Sequence, residues 1–135
     1  MSTPNFPPTL LSERPAKGKT LPRLFNACLL RPTDLPASQD DMEVIGVFNP
    51  GVVAMDDGIV LLVRVAQRPR EQCRGYTGLP RWDIENGRIV TDWHRDNEIT
   101  PVDIRVVRHK ESGCVRLNFT SHLRVVFSGD GRSYL

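Results

Sequence analysis

The sequence predicts an all-β chain. Three features say so: short runs rich in Val, Ile, Leu and Phe, Asp-Gly and Asn-Gly turns between those runs, and the lack of any amphipathic segment long enough for three helical turns. Short strands joined by tight turns suit a sandwich, a barrel or a propeller alike, and no close internal repeat separates the three.

Residues 1–22 are rich in Pro, Ser, Thr and Lys without an apolar period, and they read as an extended or disordered leader before a single domain over 23–135. Leu24 to Leu30 reads as a short strand stopped by Arg31-Pro32, and Thr33 to Asp41 reads as a loop. Val44 to Phe48 and Val52 to Met55 read as strands broken by Asn49-Pro50-Gly51. Asp56-Asp57-Gly58 then signals a hairpin into Ile59 to Val65. That run is apolar except for Arg64, as expected of a strand covered on both faces. Arg68 to Gly78 reads as a loop. Arg81 to Ile84 and Arg88 to Asp92 flank the turn Glu85-Asn86-Gly87. Val102 to Arg108, Cys114 to Phe119 and His122 to Ser128 complete the strands, and Gly129-Asp130-Gly131 closes the last of them.

Composition narrows the function classes. The 135 residues are 39% hydrophobic and 25% charged, ordinary for a folded domain. A net charge of +2 without clustered Lys and Arg gives no sign of a nucleic-acid partner. No apolar run approaches the ~20 residues that cross a membrane, and Met1 to Pro8 lacks the regions of a signal peptide. The cysteines Cys28, Cys73 and Cys114 are odd in number and widely spaced, which predicts reduced, mostly buried thiols and a cytoplasmic setting.

Four side chains invite a binding role. Asn49 stands at the exit of an apolar strand with Pro and Gly behind it, where its amide suits either a ring of sugar hydroxyls or a cap on its own turn. Arg64 inside an apolar run calls for an anionic or carbonyl partner, which a phosphate or a structural Asp would supply equally well. Arg68, with Arg70, lies in the following loop and leans towards phosphate, although a solvated face is the default for such charges. His122, beside Ser121, could bond a sugar or phosphate or be a satisfied structural residue. Trp82 and Trp93 could stack on a sugar but fit a core better. His94 and His109 have no ligand partner at metal spacing, so no metal is expected. None of the carboxylates sits in an apolar context that would keep it protonated as a general acid.

Several of these pieces fall into one order. Leu29-Leu30-Arg31-Pro32 with Asp34-Leu35, Glu43 to Gly51, Val60 to Ala66, Thr120 to Val125, and Ser128-Gly129-Asp130-Gly131 together resemble the N-terminal part of glycoside hydrolase family 130. The resemblance implies a five-bladed β-propeller with its pocket on the axis, of which 23–135 would form about two blades. It implies β-mannoside substrates, cleaved with inversion by inorganic phosphate as co-substrate in the phosphorylases and by water in the hydrolases, with no other cofactor. By position, Asn49 matches the Asn on the bound mannose, Arg64 the strand Arg near the phosphate, and His122 a pocket-side position.

The family's acid, an Asp in a Glu-Asp-Pro-Arg segment, has no counterpart in this chain. The expectation is therefore a fragment inactive by itself, marginal or aggregation-prone, and dependent on a missing C-terminal part or a second copy. A non-catalytic carbohydrate-binding or interaction β-domain, with a wall of Asn49, Arg64 and Trp82, is the alternative.

Overall fold

The Asp56-Asp57 turn sets the first hairpin, and the topology grows from it. The computed structural model describes residues 26–134, so the leader expected over 1–22 lies outside the described residues. Strands β1 (Met42–Met55) and β2 (Gly58–Pro69) pair antiparallel from Met55↔Gly58 to Met42↔Pro69. Gly58 is needed at this turn, because a Cβ there would collide with the Ser128 backbone carbonyl.

Two smaller sheets follow in sequence. One pairs β3 (Tyr76–Asp83) with β4 (Arg88–Arg95); the other joins β5 (Ile99–Pro101), β6 (Val106–His109) and β7 (Val115–Leu117). The chain then returns as β8 (Thr120–Ser128) to the free edge of β2, giving the order β1-β2-β8. Single 3-10 turns at Pro32–Asp34 and Asp96–Glu98 are the helical elements among the described residues. No helix there is long and apolar enough to cross a membrane. The all-β class read from the turns and apolar runs is what the described residues adopt.

Several details differ from the sequence reading. Residues 26–30 form no strand. β1 runs through Asn49-Pro50-Gly51 as one element, because a register shift between Phe48 and Gly51 absorbs the irregular residues as a bulge. Regular pairing of β6 begins only at Val106, since the Val102 and Asp103 amides both donate to the Val106 carbonyl in a tight bend. β5, three residues ending in a proline, is too short to give a period-2 signal.

β2 is covered on one face among the described residues, not on two. Alternation along the strand places Leu61, Val63 and Val65 on the inner side, where they pack with Leu35 and Val126 as the principal core. The other side carries Leu62 and Arg64, and paired residues share a face. Arg64 therefore sits between Phe48 and Leu123, and Leu62 sits beside Val125. Phe48, Leu62, Leu123, Val125 and Phe127 are all exposed, so this side is an open apolar surface. A second cluster of Leu79, Ile99 and Val107 joins the two smaller sheets.

Polar side chains stitch these layers. Gln67 is fully buried and is satisfied by Ser38, whose amide donates to its Oε1 at 3.0 Å and whose hydroxyl accepts from its Nε2. Gln39 reaches β4, accepting from the Ile89 amide at 2.6 Å and donating to the Ile89 carbonyl at 3.0 Å, as a neighbouring strand would. Arg116 on β7 donates to Asp92 at 2.8 Å and to the Leu79 carbonyl at 2.9 Å, tying the β5–β7 sheet to β3–β4.

Candidate functional site

Asn49 occupies the bulge of β1 with φ at +43°, a left-handed conformation that Asn tolerates better than other residues carrying a side chain. Pro50 behind it holds the chain as the bulge bends the strand and re-aims side chains. Its neighbour Phe48 pairs with Arg64, so Asn49 and Arg64 lie one register step apart on adjacent strands.

Arg64 is exposed, contrary to the burial implied by an apolar run on both sides. Its Nε donates to the Ser121 hydroxyl at 3.2 Å, and none of the ion pairs among the described residues involves it. Of the two partners anticipated for this guanidinium, the structural Asp is not there among the described residues. Arg68 differs: it belongs to β2 rather than to a loop, and its Nε already meets Glu43 Oε1 at 2.6 Å.

His122 pairs with Val65 and so lies on the inner side of the sheet, across from Arg64. It lines a cavity of about 820 Å³ together with Gln39, Asp40, Asp41, Trp82 and Arg88. Neither ring nitrogen has a hydrogen-bond partner among the described residues. Desolvation, aided by the Arg124 charge, holds its pKa below the usual histidine value, so the ring is neutral near pH 7 and offers one donor and one acceptor. Ser121 also lines this cavity and bonds Arg64, which makes it the link between the two sides of the sheet.

The four singled-out residues thus divide into an Asn49–Arg64 pair, a separate His122, and an Arg68 engaged by Glu43. Trp82 is 59% exposed and lines this cavity instead of being buried in the core, while neither Asn49 nor Arg64 lines it. The thiols also depart from expectation: all three are unpaired, but Cys28 and Cys114 are exposed and Cys73 is half-buried.

Carboxylate electrostatics bear on acid chemistry. Asp83, Asp92, Asp103 and Asp130 all titrate below the usual range. Asp83 is held down first by the Asn86 side chain, and Asp103 by the Arg105 amide. Asp92 is lowered against its own desolvation by Arg116 and Arg81, and Asp130 chiefly by the amides of Ser133 and Arg132. Each is ionised near neutrality, the opposite of what a proton donor needs.

The sequence reading missed one constellation. His94 at the end of β4, Glu98 in the following 3-10 turn and His109 at the end of β6 bring one ligand atom each within 4.8 Å of one another. The two histidines are far apart in sequence and meet only because β5 pairs Ile99 with His109. The His-x-x-x-Glu spacing of His94 and Glu98 was the available signal.

Comparison with known proteins bears out the resemblance read from the motif order, as a likeness to a mannobiose phosphorylase. The chain is a homologue of β-1,2-mannobiose phosphorylase of Listeria innocua serovar 6a (strain ATCC BAA-680 / CLIP 11262), 29% identical over 110 residues. That alignment covers 78% of this chain and 31% of the relative. The solved structure of β-1,2-mannobiose phosphorylase from Listeria innocua in complex with β-1,2-mannobiose superposes with a TM-score of 0.68 at 29% identity. That superposition covers 79% of this chain and 31% of the other. The chain therefore spans about a third of the length of the curated relative it matches. No family model matches it.

Proposed function

We propose that this chain supplies the sheet that contacts sugar and phosphate in an inverting β-mannoside phosphorylase. The match to a mannobiose phosphorylase over 78% of the chain, in both sequence and structure, carries the reading. In this reading the β1-β2-β8 sheet is a propeller blade, and its open apolar side packs on the next blade. Arg64, which meets no carboxylate among the described residues, holds inorganic phosphate, and Asn49 at the bulge holds mannose hydroxyls. A phosphate oxygen attacks the anomeric carbon, the glycosidic C–O bond breaks, and the leaving sugar takes a proton, giving α-mannose 1-phosphate.

Asp83, Asp92, Asp103 and Asp130 are ionised near neutrality and do not serve as the proton donor, which in this reading comes from polypeptide corresponding to the unmatched part of the relative. The chain by itself binds mannoside without cleaving it. Its unpaired cysteines fit a cytoplasmic setting.

Calorimetry with β-1,2-mannobiose and inorganic phosphate, alongside an assay for mannose 1-phosphate, tests this. Asn49→Ala should weaken mannobiose binding by about tenfold, as loss of hydrogen bonds to a bound ligand does. Arg64→Ala should abolish the effect of phosphate, and the chain alone should release no mannose 1-phosphate. Binding indifferent to both substitutions would refute the assignment. Binding lost instead on Trp82→Ala or His122→Ala would favour a second reading, a non-catalytic carbohydrate-binding domain using the cavity that Trp82 and His122 line.

A further inference from the structure

We infer that His94, Glu98 and His109 form a binding site for a divalent transition-metal cation, with Zn²⁺ the best fit. Two imidazoles and one carboxylate are a ligand set suited to Zn²⁺, leaving a fourth position for water. Their ligand atoms lie within 4.8 Å of one another, whereas tetrahedral zinc at ~2.0–2.1 Å bonds separates its ligands by about 3.3 Å. Small side-chain rotations close that difference.

Independent features point the same way. His94 Nε2 is buried with no hydrogen-bond partner among the described residues, which is costly for an imidazole nitrogen unless something takes its lone pair. The rings of His94 and His109 meet edge to face at 5.5 Å between centroids, which holds two imidazoles together beside the Glu98 carboxylate. Glu98 spends one oxygen on the Arg95 amide at 3.0 Å, which fixes the carboxylate and leaves the other oxygen for a ligand. The turn is anchored to β6, since the Lys110 amide donates to the Glu98 carbonyl at 2.8 Å and Lys110 Nζ to the Asn97 carbonyl at 2.7 Å. The Ser112 amide donates to His109 Nδ1 at 3.3 Å, a long bond that a metal on Nδ1, or a tautomer shift freeing Nε2, replaces.

His94 and His109 come from the β3–β4 and β5–β7 sheets, with Glu98 in the 3-10 turn between them, so the ion clamps the two sheets together and contributes to folding. The test is calorimetric titration of the full chain with Zn²⁺, with Co²⁺ spectra as the ligand signature. One saturable site is expected, weakened about 100-fold by His94→Ala or His109→Ala and unaffected by Cys114→Ser. Glu98→Gln keeps an oxygen for the Arg95 amide and so preserves the turn. It should weaken binding at least tenfold with an unchanged circular dichroism spectrum, which decides the matter even if a histidine variant fails to fold. Lack of saturable Zn²⁺ binding, binding that survives Glu98→Gln and both histidine substitutions, or an intense cobalt–thiolate band would each overturn the assignment.

Discussion

Arg64 and Asp92 show how differently this chain treats its charges. Arg64 has a hydroxyl partner and an apolar neighbourhood, whereas Asp92 has two guanidinium partners, Arg116 at 2.8 Å and Arg81 at 3.0 Å. Asp92→Asn should lower stability by about 1 kcal/mol at pH 7, as expected for a half-exposed charge network. The folded pKa of Asp92 is depressed, so its contribution is present above the unfolded value near pH 4 and drains away as pH falls through the folded value. Urea melts of both proteins at pH 7 and pH 3 check this: the gap should close at the lower pH. At this scale the sequence showed Arg64 to be anomalous but not which side of β2 it faces, because facing depends on how β8 pairs. It also hid His94 and His109, whose proximity exists only through the β5–β6 pairing.

The elements held their places where turn chemistry was explicit. Asp56-Asp57-Gly58 and Glu85-Asn86-Gly87 marked both long hairpins, and Gly129-Asp130-Gly131 marked the end of β8. Elements whose identity depends on distant partners escaped, β5 being the clearest. Residues 35–41 are a similar case: they carry no periodic pattern, yet Leu35 enters the core and Gln39 pairs with β4 as a surrogate strand. Gln39→Ala should cost about 1–2 kcal/mol, because it leaves the Ile89 amide and carbonyl unpartnered in a half-buried setting. Hydrogen exchange reads this directly. The Ile89 amide should lose protection by about tenfold or more, while amides in the β1–β2 pairing keep theirs.

For the whole molecule, the open side of the β1-β2-β8 sheet is the dominant surface feature. Phe48, Leu62, Leu123, Val125 and Phe127 form a contiguous apolar side, and such surfaces in folded proteins are covered by a partner or drive association. The purified chain should self-associate as its concentration rises. Val125→Lys, at an exposed position on that side, should shift sedimentation velocity profiles towards monomer with an unchanged circular dichroism spectrum. The sequence pattern pointed to this surface only indirectly, since a continuous apolar strand reads as covered on both sides wherever its cover comes from.

The long return from β2 to β8 has its own consequence. Gln67 and Thr120 are direct neighbours in the sheet, yet everything from β3 to β7 hangs between them as one excursion. Closing so distant a pair is the slow step in building such a sheet, so the β1–β2 ribbon forms early and β8 docks late. The entropy of closing that loop grows only logarithmically, by about 0.6 kcal/mol per doubling of its length. The excursion is therefore free to lengthen, shrink or acquire new ligands in evolution while the sheet it departs from keeps its register.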